Sequence, residues 1–232
     1  MVYRKEECCL QFRHEVKHEI SNLDMLILRQ RLRAVMSPDS HAKNGQYEIR
    51  SLYFDNLDDK VLREKLDGVS VLEKYRIRLY NNDPSVIHLE RKFKHGGLGY
   101  KDFTLLTPEQ ARQIAGGDIG WMAGSTDEVI LGFYSRLRSE GLAAKVIVDY
   151  TREPFVFGPG NVRVTLDYNI RTALRCTDFL NPNCITVPIP DLPCILEVKW
   201  DNYLPDVIRD IVQLGDRHST AYSKYAACRM YD

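Results

Sequence analysis

Six segments of this chain alternate charged and apolar residues with a period of two, and that pattern limits the fold more than any other feature. They are RHEVKHE (13–19), KYRIRLY (74–80), VIHLERKF (86–93), KVIVDYTRE (145–153), RVTLD (163–167) and ILEVKW (195–200). Successive side chains on a strand point to opposite faces, so each segment has one ionic and one apolar face. A single strand of this kind suits a half-exposed antiparallel sheet with its charges in water. Six of them, spread from one end of the chain to the other, suit a different arrangement. Four amphipathic helices supply enough apolar surface to cover the outside of a sheet. The strands then curl into an antiparallel barrel whose ionic face lines the lumen.

The helices are read from caps and stripes. Ser21 with Asp24 opens the first, where Met25, Leu28, Leu32 and Val35 share a face. Thr107, Pro108 and Gln110 open the second, which Gly116 and Gly117 stop. Ser125 to Glu128 begins the third, with Val129, Ile130, Phe133 and Leu137 inward. Pro205 begins the fourth, with Val207, Ile208, Ile211 and Val212 inward and Gly215 at its end. The SLYFDN stretch (51–56) reads as a core strand ending in an Asp-Asn turn, HGGLG (95–99) as a hairpin, and the Pro-rich 181–193 as a long loop. The fold class is α+β, a single domain over residues 1–232.

Charge narrows the function. The 232 residues carry 32 Lys plus Arg against 32 Asp plus Glu, so the chain has no overall pull on nucleic acid or an anionic bilayer. Anion binding must come from local concentration of cations. A lumen rich in Arg and Lys is costly unless wet and supplied with counterions, which points to a polyanion with a metal. No stretch has the roughly 18 apolar residues of a membrane span, and the charged N-terminus lacks a signal peptide's apolar region. A cytoplasmic location is expected, with Cys8, Cys9, Cys176, Cys184, Cys194 and Cys228 reduced and structural or incidental.

The order RHEVK, SLYFDN, KYRIRLY, HLERK, DYTRE, RVTLD, LEVK and YSKY (222–225) resembles the bacterial VTC domain, the polyphosphate polymerase domain of the vacuolar transporter chaperone complex. That domain belongs to the triphosphate tunnel metalloenzymes, the CYTH-like superfamily. The resemblance runs from about Phe12 to about Tyr225. It implies a tunnel open at both ends that grips a triphosphate and holds Mn2+ or Mg2+, with ATP and inorganic polyphosphate as substrates.

Carried over by residue, Lys17, Arg76, Arg78, Lys92, Arg152 and Lys224 would act on the reacting phosphates. Tyr150, Arg163, Lys199 and Ser223 would bind substrate, with Lys65 and Lys101 at further basic positions. Glu197, aided by Glu90, would hold the metal. Guanidinium forks match phosphate oxygens bidentately, which suits the central arginine pair. Arg13 stands where the wider superfamily has a Glu, which favours the polymerase branch, and Ala221 stands where the yeast-type enzyme has a lysine. The chain ends without the accessory and membrane-spanning segments of eukaryotic subunits, so a separate membrane protein would accept the product, at the inner face of the membrane. Attack by a growing polyphosphate gives a polymerase and attack by water a triphosphatase. A non-catalytic sensor of polyphosphate or an inositol phosphate is the other class.

Bland readings stand beside these. Arg13, Lys74 and Arg91 read as solvated charges, and Lys65 equally well as a helix-face charge. His14, His18 and His88 read as packing or surface residues, and His218 has no role in the resemblance.

Overall fold

The structure is a computed structural model that describes residues 13–95, 98–173, 176–189, 194–215 and 219–230. Cys8, Cys9, His218, Gly96 and Gly97 lie outside the described residues. Among the described residues ten strands form one sheet, β1 (His14–Ile20), β2 (Ser37–Pro38), β3 (Tyr47–Asp55), β4 (Val71–Tyr80), β5 (Asp83–His95), β6 (Leu98–Leu106), β7 (Ala143–Phe157), β8 (Val162–Ala173), β9 (Val187–Pro188) and β10 (Cys194–Trp200). Its main path runs β1-β10-β8-β7-β3-β4-β5-β6, with β2 on β7 and β9 on β8, and every pairing is antiparallel. The sheet curls until its two end strands approach, and an Arg13–Gly99 bridge joins β1's N-terminal end to β6.

Local sequence explains the connections. Between β4 and β5, Asn81 and Asn82 both take positive φ (54° and 52°), the two-residue hairpin turn whose twist matches the strands. The expected 95–99 hairpin is seen in the His95–Leu98 pairing of β5 with β6. The 181–193 loop carries the two residues of β9.

All four expected helices form, α1 (Asn22–Val35), α3 (Pro108–Gly116), α4 (Glu128–Glu140) and α5 (Asp206–Val212), together with two short ones, α2 (Lys60–Leu66) and α6 (Lys224–Arg229). Their ends differ in detail from the reading above. Val35 is exposed and Met36 is buried in its place, because the helix stops at Val35 and Met36 turns to extended backbone. Asp127, not Ser125, caps α4, accepting from Val129 N and Ile130 N, while Ser125 Oγ accepts from Asp127 N. On α5, Ile208 is buried but Val207 is exposed, and Gln213 rather than Gly215 caps the end.

Two apolar layers cover the outside of the sheet. One packs Leu52, Phe54, Tyr75, Ile77 and Leu89 beneath α3 and α4, and the other packs Val164, Leu166, Leu196 and Val198 beneath α1 and α5. A third apolar cluster is internal and was not expected. There Tyr225 and Cys228 of α6 and Val61 of α2 join Tyr53, Val146, Val148, Ile170 and Ile195 on the inner face of the sheet. That part of the inner face is apolar, where the resemblance implied a basic lining. Asp55, at the end of SLYFDN, holds the plug: fully buried, it accepts from Val61 N (2.9 Å), Leu62 N (3.1 Å) and Tyr225 Oη (2.5 Å). No helix among the described residues is long and apolar enough to cross a membrane.

Cys176 and Cys184 sit with their sulfurs 3.1 Å apart, a proximity that seven intervening residues gave no sign of.

Candidate functional site

The rest of the lumen is ionic, and its charges fall into three groups. In the first, cross-strand register sets Arg76 of β4 opposite Glu90 of β5. Arg76 Nε donates to Glu90 Oε2 (2.6 Å) and Nη1 to Tyr53 Oη (2.9 Å), while Lys101 Nζ of β6 donates to Glu90 Oε1 (2.7 Å). Arg78 donates to Ser51 Oγ (3.0 Å) and Tyr150 Oη (3.1 Å) and stands 3.8 Å from Glu90. Although burial opposes its charge, Arg76, Arg78 and Lys101 hold Glu90 well below the usual carboxylate range.

The second group lies on β7, β8 and α6. Arg152 grips the fully buried Asp167 with two bonds of 2.6 and 2.7 Å, and Lys224 Nζ adds a third at 2.6 Å. Against the cost of burial, these two cations hold Asp167 at about 2. Tyr150's ring packs against both, 5.5 Å from the Arg152 guanidinium and 4.8 Å from Lys224 Nζ.

The third group joins the two sides of the curled sheet. Lys17 pairs with Glu15 at 3.1 Å, and Lys199 contacts Glu197 and stands 3.7 Å from Glu15. Lys92 of β5 reaches Glu15 of β1 at 3.0 Å, although the two strands are not neighbours in the sheet. Burial and Glu197 both push Glu15 upward, but Lys17, Lys92 and Lys199 bring it down to about 2.

Around this group the cations are too many for the acids. Burial, together with Lys65, Lys17 and Lys92, pulls Lys74 down to about 8 despite Tyr53. Burial, with Lys17 and Lys199 adding to it, likewise pulls Lys92 down to about 8 against Glu15. Lys65 is lowered by burial and by Lys94 and Lys17. In and around these three groups the described cations Lys17, Lys65, Lys74, Arg76, Arg78, Lys92, Lys101, Arg152, Lys199 and Lys224 outnumber the acids Glu15, Glu90, Asp167 and Glu197. Such a surplus needs an anion.

Several residues sit differently from their expected roles. Lys74 is not a solvated charge: it lies over Tyr225's ring (5.5 Å) on the face of Arg76 and Arg78, as the alternation of KYRIRLY required. Arg91 is on the outside, paired with Glu73, and Arg13 pairs with Asp201. Ser223 caps α6, its hydroxyl accepting from Ala226 N. Arg163 stands apart from the three groups, 3.1 Å from Asp39 and more than a third exposed. His14 stacks on Trp200 and His88 on Phe103, both packing roles. The reading from sequence assigned no role to Glu15, Asp167 or Tyr53. Glu15 and Asp167 carried a signal in sharing strand faces with Lys17 and Arg163.

The acids also decide where a metal fits. Among the described residues no three His, Cys, Asp or Glu side chains gather into a ready-made cage. Mg2+ and Mn2+ are commonly bound by one or two carboxylates with the remaining positions filled by phosphate and water. Glu197 and Glu15 fit that pattern, since both approach the one Lys199 ammonium from adjacent strands. Glu90 lies apart from this pair, in the first group, with Arg76 and Lys101 on its two oxygens.

The sequence pattern of the VTC domain matches residues 12–231 of this chain. No curated protein matches it. Among solved structures, the PH1819 protein of Pyrococcus horikoshii OT3 is 12% identical with a TM-score of 0.51, covering 95% of this chain and 99% of that one. PH1012 of the same organism is 12% identical (TM-score 0.48; 91% and 96% covered). A Bacillus halodurans protein described as a candidate adenylate cyclase is 15% identical (TM-score 0.48; 81% of each chain covered). At such identity the likeness to PH1819 speaks to the fold alone.

Proposed function

The chain belongs to the VTC domain family, and from that premise we propose that it is a metal-dependent phosphoryltransferase that extends inorganic polyphosphate with the γ-phosphate of ATP. The surplus of lumen cations over lumen acids carries this reading, above all Lys74 and Lys92, which burial and neighbouring cations pull down to about 8. A triphosphate supplies the missing counter-charge.

In this reading Arg76 and Arg78 bind phosphate oxygens from one wall while Arg152 and Lys224 bind from the other. Their carboxylate partners hold them in place before substrate arrives, so little reorganisation is needed as charge moves from the γ-phosphorus to the leaving oxygen. Lys17, Lys92 and Lys199 stabilise charge on the chain beyond the reacting phosphate, and Lys65 and Lys74 lie next to them. Tyr150 aligns Arg78, Arg152 and Lys224 through its hydroxyl and its ring face. Ser223 acts by starting α6 so that Lys224 enters the lumen. Glu197 and Glu15 would hold Mn2+ or Mg2+, which would supply positive charge to offset that of the phosphates. The acceptor is the terminal oxygen of a polyphosphate, with water as the competing nucleophile.

One observation favours a second reading, a polyanion binder without turnover. Glu90 is accounted for as the counterion of Arg76 and Lys101, so its presence does not by itself argue for catalysis. Glu197→Gln separates the two. An enzyme should keep affinity for inorganic triphosphate and lose turnover of ATP by more than tenfold, whereas a binder should keep or gain affinity with no turnover to lose.

A further inference from the structure

The ionic lumen ends in an apolar patch that phosphate binding does not require. On β6, two residues beyond Lys101, Phe103 is 53% exposed, and Leu105 next along that face is also 53% exposed. Val86 of β5 is 47% exposed, on the same face by alternation as His88 and Glu90. Register sets Glu90 opposite Phe103 and His88 opposite Leu105, so the patch begins where the Arg76–Glu90–Lys101 group stops. His88 stacks on Phe103 with centroids 5.1 Å apart and planes within 14°. Burial lowers the pKa of His88 and favours the neutral imidazole behind Phe103.

We propose that Phe103, backed by His88, is the stacking platform for the nucleobase of a nucleoside triphosphate whose phosphates lie on the lumen cations. Lys101 joins the two regions, its Nζ 2.7 Å from Glu90 and 5.5 Å from the centre of the Phe103 ring. A phosphate bound at that ammonium lies beside the exposed aromatic, within reach of its own nucleoside. Polyphosphate has no flat apolar end, so the patch separates nucleotide donor from phosphate chain. Stacking is tolerant of base identity because every base offers a π-face, so the platform selects nucleotides as a class. This proposal rests on the lumen's being a triphosphate site.

The test titrates the full chain with ATP and, separately, with inorganic triphosphate, for wild type, Phe103→Ala, Phe103→Leu and Phe103→Tyr, with thermal melts to verify folding. Phe103→Ala and Phe103→Leu should weaken ATP about tenfold (about 1.4 kcal/mol) and leave inorganic triphosphate within twofold, and Phe103→Tyr should restore ATP. Equal effects on both ligands, or none on either, would overturn the platform while leaving the lumen site intact. Failure of wild type to bind inorganic triphosphate would overturn the lumen site, and the platform with it.

Discussion

Asp167→Asn exposes how the lumen is held together. The carboxylate is fully buried and serves Arg152 and Lys224, whose side chains are only 13% and 10% exposed. Replacing it with an isosteric amide keeps the shape and one acceptor but leaves two buried cations with their shared countercharge gone. Breaking a buried pair by removing one partner costs about 3–5 kcal/mol, and the retained acceptor puts this case near about 3 kcal/mol. For a domain of this length each kcal/mol moves Tm by about 2–4 °C, so the melt should fall by about 6–12 °C. Inorganic triphosphate should then raise the variant's Tm by more than it raises wild type's, since the ligand replaces the missing negative charge as well as binding. Thermal melts at matched ligand concentration read both quantities. A variant within about 2 °C of wild type, or one that gains less from triphosphate than wild type does, would refute the reasoning.

Further outcomes concern pH and the apolar plug. Lys74 and Lys92 sit at about 8 in the folded protein, below their ordinary 10.5. Between those values the unfolded chain binds more protons, so the empty protein should gain stability as pH rises from 8 towards 10.5. A bound polyanion reverses the shift, so triphosphate binding at pH 8 should take up protons, up to about one in total from two half-charged groups, and should weaken as pH rises from 7 to 9. Calorimetry in two buffers of different ionisation enthalpy measures the uptake, and proton release on binding would contradict it. Tyr225→Phe removes a 2.5 Å bond to the buried Asp55 and should cost about 2 kcal/mol, as hydrogen bonds to charged groups do, lowering the urea midpoint without changing the m-value.

Much of this site was legible because charge alternation with a period of two leaves little choice of face. Arg76, Arg78, Glu90, Lys92, Arg152 and Glu197 all lie on the inner face that the pattern assigns them. The same logic covered Lys74, and only its treatment as an isolated surface charge set it apart. Caps located the long helices, because Ser21 and Thr107 each have a side chain three residues on that bonds back. Helices α2 and α6, of seven and six residues, were not read from the sequence, and so the apolar plug that they build was missed. Tyr53 and Tyr150 gave no sign of it either, since a tyrosine suits an apolar or a polar face equally. Which acid serves which cation depends on register and on the curl of the sheet. Only the curl brings Lys92 of β5 to Glu15 of β1, and no local pattern encodes that meeting.

The most direct test is to incubate the purified chain with ATP and Mn2+, with and without a short polyphosphate primer, and to resolve ADP, free phosphate and chain length on a gel. The expected result is lengthening polyphosphate with a matching amount of ADP, abolished by Arg76→Ala and by Glu197→Gln. Free phosphate without chain growth would contradict the polymerase and make the lumen a hydrolase site, and tight triphosphate binding without any turnover would leave it a polyanion binder.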